Sequence, residues 1–259
     1  MKLAYFERID DTRFRATEHV SGAWNEQEQH IAPALGLMAH VLELHRDARR
    51  EDRMRISSLH YDILGPVPVG EVDVVCRVVR PGRTIELVEV ELSYQQRTIV
   101  LLRSWLLAEF DADHVQGGDL PRITGPQSFE PWDATSLWPG GLIRSIEGRR
   151  REESPGRAQA WIRTAHALVA DEQVSDTARF IGLFDVSNGV AVRAKPDEVV
   201  FPNVELTAQL FRDPTGEWVG YDTTVTFGPD GRGLTHTIIH DQSGPIGAVT
   251  QALTVRPQR

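Results

Sequence analysis

Residues 201–255 read FPNVELTAQLFRDPTGEWVGYDTTVTFGPDGRGLTHTIIHDQSGPIGAVTQALTV, and the punctuation of this stretch decides the fold. Three turn signals cut it into four segments. They are Asp213-Pro214-Thr215-Gly216, Gly228-Pro229-Asp230-Gly231 and Asp241-Gln242-Ser243-Gly244-Pro245. Short segments separated by such turns are expected to pair as consecutive antiparallel strands. In the last segment Val249, Leu253 and Val255 fall on one face by alternation, and Gln251 sits among them. A carboxamide on an apolar face costs stability unless it finds hydrogen-bond partners. Gln251 is therefore the first candidate functional residue.

The same order recurs earlier in the chain. A helix is expected over residues 29–45, from Ile31, Leu35, Met38 and Leu42 at helical spacing. Strands follow at 55–64, 71–80, 85–95 and 98–110. The last of these, TIVLLRSWLLAEF, is apolar almost throughout, as expected of a strand covered on both faces or lying at a subunit interface. Before this block, residues 3–20 read as one or two short strands. After it, 111–156 is rich in glycine and proline and reads as a linker carrying Trp132 and Trp138. A strand over 157–165 and a helix over 172–186 lead back to the opening stretch. Asp171 or Ser175 is the candidate cap of that helix, and Asn188-Gly189 its stop.

The two blocks match residue by residue. Leu59 to Pro66 corresponds to Leu206 to Pro214 with one insertion, Thr98 to Ser104 to Pro245 to Gln251, and Leu35 to Ala39 to Ile181 to Asp185. The chain is thus read as two copies of a helix on an antiparallel sheet, over residues 1–112 and 157–259 with 113–156 between them. One copy alone would leave an open sheet edge. The copies differ where chemistry enters: Asp185 replaces Ala39, and Gln251 replaces Ser104. Two uses of these polar groups stay open. Asp185 could cap a turn while Gln251 ties down a backbone amide, or the two could form a site.

Composition excludes several classes. A net charge of −9 disfavours nucleic-acid binding. No run reaches the roughly 18 apolar residues of a membrane span, and the acidic N-terminus lacks a secretory signal's apolar core. Cytoplasmic residence is expected. Cys76 alternates with Val74 and Val78 and reads as a strand hydrophobe rather than a nucleophile. No Gly-x-Ser-x-Gly elbow is present. Gly228, Gly231 and Gly233 belong to a hairpin turn rather than a phosphate loop. His236 and His240 share a strand face by alternation but lie about 13 Å apart at strand rise, too far for one metal. Two arginine groups, Arg49 to Arg55 and Arg144 to Arg157, are either solvated or able to meet phosphates.

The stretches LFDVSNG, FPNVELTAQLFRDPTGEWVGYDT, GPDGRGLTHTIIHDQSGPIG and TQALTVRP resemble the TesB-like acyl-CoA thioesterases, and among them the actinobacterial thioesterase-like group. The resemblance implies an α+β double hotdog that hydrolyses a fatty acyl-CoA, with no metal, no cofactor and no covalent intermediate. It implies a water held by an Asp, a hydroxyl residue and a Gln. Asp185 and Gln251 match two of these. At the hydroxyl position stands Asn203, and the region where the family's first helix begins at a glycine pair reads Gln29-His30-Ile31-Ala32-Pro33-Ala34, with no glycine pair. By alternation Asn203 would face away from Val204 and Leu206, so joining Asp185 requires a bend near Pro202. A homo-oligomer is expected from the apolar strand over 98–110. Asp185 with Gln251 favours an acyl-CoA thioesterase. Asn203 and the missing glycine pair favour a weak or inactive hotdog that binds acyl-CoA or another apolar ligand.

Overall fold

The computed structural model describes residues 3–258; positions 1, 2 and 259 of the two expected halves lie outside them. In chain order the first half holds β1 (Ala4–Arg8), β2 (Arg13–Ala16), α1 (Ile31–Arg49), β3 (Met54–Ile63), β4 (Glu71–Arg80), β5 (Ile85–Tyr94) and β6 (Arg97–Ala108). The stretch expected to be a linker is instead partly structured. It carries β7 (Glu130–Trp132), α2 (Gly141–Ser145) and β8 (Ile146–Ser154), whose charged run RRREE hid a strand that pairs with its neighbour along its length. The second half continues with β9 (Arg157–Thr164), β10 (Ala167–Val169), α3 (Asp176–Phe184), α4 (Ser187–Val190), β11 (Val199–Val200), β12 (Glu205–Leu210), β13 (Val219–Phe227), β14 (Arg232–Asp241), β15 (Gly244–Thr254) and β16 (Arg256–Pro257).

Fourteen strands form one sheet in the order β10-β1-β2-β4-β5-β6-β3-β12-β15-β14-β13-β9-β8-β7. The halves join where β3 meets β12, antiparallel, with Thr207 opposite His60. These two residues correspond in the internal repeat, so a local twofold relates the halves there. The helices obey the same relation. α1 and α3 pack together inside the sheet, and the corresponding glycines Gly36 and Gly182 meet at their crossing. A methyl group built on Gly36 would lie 2.7 Å from Gly182 Cα and 2.9 Å from Ala178 O. Close backbone approach of this kind is available only to glycine. The architecture is the expected α+β double hotdog.

Burial follows from this nesting. Residues 32–42 of α1 are buried in an unbroken run, because its own sheet covers one side and α3 the other. A helix apolar all round is one enclosed all round. α1 runs further into the charged run than expected, to Arg49, and starts two residues later than expected, at Ile31, where His30 caps it. α3 is shorter than expected. Ser175 Oγ caps it by accepting from Ala178 N at 3.0 Å, Asp185 closes it, and Asn188-Gly189 lies within α4 rather than ending a single helix. β6 is central in the first half's sheet but is covered on one face only. Val100, Leu102 and Leu106 are buried, whereas Leu101 and Trp105 are half-buried and Leu107 is exposed. His236 and His240 share a face of β14, whose register with β13 is unbroken through both. His236 is exposed whereas His240 is buried, its ring bonded to Pro121 O at 2.9 Å and edge-on to Trp161. Burial pushes the Cys76 thiol up to about 12, so it stays protonated at neutral pH. Among the described residues no helix is long and apolar enough to cross a membrane.

The glycine crossing is unequal, and this is testable. On Gly182 a methyl group would meet Leu168 Cδ1 at 3.6 Å and Gly36 Cα at 3.7 Å, which is ordinary contact. Gly36→Ala is expected to destabilise the protein by about 2 kcal/mol through overpacking, lowering the thermal midpoint by roughly 4–8 °C. Gly182→Ala is expected to leave the midpoint unchanged or raise it, since alanine is the better helix former. Thermal denaturation of the two variants checks the difference.

Candidate active site

Because α1 and α3 run antiparallel across the glycine contact, the start of α1 lies beside the end of α3. Asp185 is the residue that closes α3, with helical backbone angles and a side chain 4% exposed as a residue. Gln251 comes from the inner face of β15 and is fully buried. Asn203 precedes β12. It forms an isolated bridge with Leu253, and a bend at Val204 separates it from the strand. The bend breaks the alternation that would have carried its side chain away, so all three residues meet.

The geometry is specific to one oxygen. Asp185 Oδ1 accepts from Asn203 Nδ2 at 2.7 Å and from Gln251 Nε2 at 2.9 Å. Asn203 Nδ2 also donates to Glu205 O at 3.2 Å, and Glu205 is held in turn by Ala252 N and by Thr207 Oγ1. Asp185 Oδ2 has no hydrogen-bond donor among the described residues, and His30 Nδ1 lies 3.8 Å from it. That nitrogen already accepts from Ala32 N at 3.2 Å, as the cap of α1.

Burial pushes the Asp185 carboxyl up to about 7, and the hydrogen bonds from Asn203 and Gln251 hold it from rising further. Burial lowers His30 to about 4, so the imidazole is neutral at pH 7. The approach of His30 to Asp185 is therefore not an ion pair. Two further polar atoms are sealed without partners next to the site: Gln251 Oε1 and Thr235 Oγ1, which belong to residues directly opposite each other on β15 and β14.

Asp185, Asn203 and His30 line a cavity of ≈ 600 Å³ between the halves, within the range of small-molecule sites. Its walls are apolar and aromatic. Ile63 and Val67 come from the first half, Trp132, Trp138 and Ile146 from the segment between the halves, and Val186 from the second half. Trp138 is fixed by donating Nε1–H to Gly189 O at 3.1 Å, and it meets Trp24 edge-on. The arginine groups do not line it. Arg49 and Arg50 bind buried Glu86, Arg55 binds Glu109 and Asp213, and Arg157 binds Asp222. The cation at the cavity is Arg256, exposed and in β16.

Sequence reasoning brought Asp185, Gln251 and Asn203 forward and missed His30, Arg256 and the wall made by the supposed linker. A signal for His30 existed. It stands within the stretch from Gln29 to Ala34 where the family's glycine pair is absent.

With this geometry in hand, the chain can be compared with known proteins. The profile of the acyl-CoA thioesterase N-terminal domain matches residues 20–107, and that of the acyl-CoA thioesterase C-terminal domain matches residues 122–255. No curated protein matches the chain. Among solved structures, a hot-dog-fold protein from Alicyclobacillus acidocaldarius superimposes with a TM-score of 0.75 at 14% identity, covering 97% of this chain and 95% of that one. The acyl-CoA thioesterase II TesB2 from Mycobacterium marinum gives 0.66 at 16% identity, covering 98% and 96%. At these identities the structural likeness speaks for the fold. The matched profiles cover most of the sequence, and the chain belongs to the acyl-CoA thioesterase family.

The raised Asp185 carboxyl has a consequence for stability. The folded state holds this proton up to about pH 7, while the unfolded chain releases it near 3.8. The stabilising contribution of the neutral acid is complete below 3.8 and is lost as pH rises to about 7. Asp185→Asn removes that loss. The stability advantage of the variant over the parent is expected to grow by about 2–3 kcal/mol between pH 5 and pH 8, measured by chemical denaturation at both pH values.

Proposed function

We propose that this member of the acyl-CoA thioesterase family hydrolyses a fatty acyl-CoA to the free acid and CoA, using a water activated by Asp185 and oriented with the help of Gln251 and Asn203. The observation that carries this reading is the division of labour within one buried carboxylate. Oδ1 is satisfied by two carboxamides, and Oδ2 is left unclaimed at an apolar cavity.

The chemistry follows from that division. Two donors on Oδ1 fix the carboxylate plane, so the lone pairs of Oδ2 have a set direction. A water bonded to Oδ2 is held for attack on a carbonyl carbon. Asp185 takes one of its protons as the new C–O bond forms. When the tetrahedral intermediate collapses, the C–S bond breaks and Asp185 returns the proton to the departing sulfur. A base whose pKa lies near 7 can perform both transfers at neutral pH.

Asn203 supplies what a hydroxyl would. Its Nδ2 is committed to Asp185 and Glu205, and its Oδ1 remains able to accept from the water's second hydrogen. The aromatic and aliphatic walls suit the acyl chain. Arg256 at the cavity is suited to a CoA phosphate.

Release of free thiol from a panel of acyl-CoAs tests the reading. The rate is expected to rise with pH through about 7 and then level off, because the base works ionised. Asp185→Asn is expected to lower kcat at least ~100-fold while the protein stays folded. Turnover absent at every chain length, or a full rate in the variant, would overturn the proposal in favour of a ligand-binding hotdog.

A further inference from the structure

We propose that the His30 side chain is the donor that polarises the thioester carbonyl, taking the place of a backbone amide at the start of α1. This rests on the thioesterase reading of the Asp185 site.

Three observations lead to it. The first concerns which donors the helix start has left. The first turn of a helix normally offers free N–H groups for an oxyanion. In α1 the amide of Ala32 is spent on His30 Nδ1, and Pro33 has no N–H to offer. The second concerns the tautomer. A backbone N–H can only donate, so Nδ1 must present its lone pair. The neutral ring therefore carries its proton on Nε2. The third concerns where that proton is free to go. Nε2 has no hydrogen-bond partner among the described residues, yet it is not one of the polar atoms sealed away without one. Those are Gln29 Oε1, Ser58 Oγ, Thr235 Oγ1 and Gln251 Oε1. His30 lines the cavity with a side chain only 12% exposed, so the access its Nε2 keeps is to the cavity.

Position and electrostatics agree. His30 Nδ1 lies 3.8 Å from Asp185 Oδ2, so the ring and the attacking water would flank the same carbonyl group. The bond from Ala32 N to Nδ1 draws charge from the ring at one side and makes Nε2–H a stronger donor at the other. The ring also passes on the positive end of a nineteen-residue helix. As water adds to the carbonyl carbon, negative charge grows on the oxygen. A neutral, preorganised donor in a buried site stabilises that charge without yielding its proton. All proton transfer stays with Asp185. The absence of a glycine pair from the stretch Gln29 to Ala34 then has a function, since with the Ala32 amide spent and Pro33 lacking one, the His30 side chain supplies the donor.

The test separates this role from capping. Asparagine is among the best residues at a helix start, but it is too short to present a donor where Nε2 stands. His30→Asn is expected to lower kcat by about 100-fold, as removal of an oxyanion donor does elsewhere, with KM and the thermal midpoint nearly unchanged. His30→Gln, which restores a donor of similar reach, is expected to recover part of the loss. An independent readout uses a CoA ketone in which CH2 replaces the thioester sulfur and the carbonyl carbon is ¹³C. Its carbonyl resonance should move downfield on binding the parent protein and much less on binding His30→Asn. A His30→Asn variant with parental kcat, or an equal carbonyl shift in both proteins, overturns the role of His30 while leaving thioester hydrolysis intact. A carbonyl shift that depends on His30, in a protein that releases no thiol, would instead overturn the hydrolytic reading and keep His30 as the carbonyl's partner.

Discussion

The contact between Gly36 and Gly182 is the constraint on which the site depends. It lets α1 and α3 cross at backbone distance, antiparallel, inside a single sheet. His30 lies six residues before one glycine, and Asp185 lies three residues after the other. At 1.5 Å per residue the two travel about 9 Å and about 5 Å along opposed helices to the same end of the pair. A wider crossing would separate the halves of the site, because one supplies the capping imidazole and the other the carboxylate and both carboxamides.

A duplicated fold has a second end with the same backbone, and its contents are instructive. There the start of α3 lies beside the later turns of α1. Ser175, which caps α3, donates to Glu43. His40, one residue after the alanine that corresponds to Asp185, meets Glu172 at 2.9 Å, and Glu172 is clamped by Arg8. Ser104, which corresponds to Gln251, donates to the backbone of Ser58 at 2.8 Å. Every one of these polar groups is matched to a partner within the protein. At the Asp185 end, one carboxylate oxygen and one imidazole nitrogen of cavity-lining residues are left without one, beside the sealed Gln251 Oε1 and Thr235 Oγ1. Matched groups stabilise; unmatched groups at a cavity are available to a ligand.

Much of this was legible in the sequence because duplication provides an internal control. Two copies of one pattern identify the fold, and the places where they differ, Asp185 against Ala39 and Gln251 against Ser104, identify the polar pair. What stayed hidden has physical reasons. The bend at Val204 that turns Asn203 inward is set by the isolated pairing of Asn203 with Leu253, a contact fifty residues away in the chain. The burial of His240, on the same face as exposed His236, likewise depends on a distant segment, since its ring meets Pro121 O at 2.9 Å. β8 carries arginines and glutamates because most of its residues are exposed and only Gly148 is buried, so apolar alternation is weak there. His30 is an uncommon helix cap. Its meaning depends on Asp185, which enters from the other half.

Stability and chemistry pull against each other at one carboxylate. Replacing Asp185 by the alanine of the first half would remove an acid that the interior holds protonated up to about pH 7, and with it the cost of ionising that acid in place. The two carboxamides offset part of that cost, since both donate to Oδ1 and draw the pKa back down. Fuller compensation was within reach. A third donor on Oδ2, such as a protonated His30, would lower the pKa further and strengthen the fold. His30 cannot be that donor, because the Ala32 amide occupies its Nδ1 and burial keeps it neutral. The result is a carboxylate with its base strength kept near neutrality and one face open. The capping hydrogen bond of α1, a local matter of helix termination, is thereby what keeps Asp185 from being neutralised by its nearest neighbour.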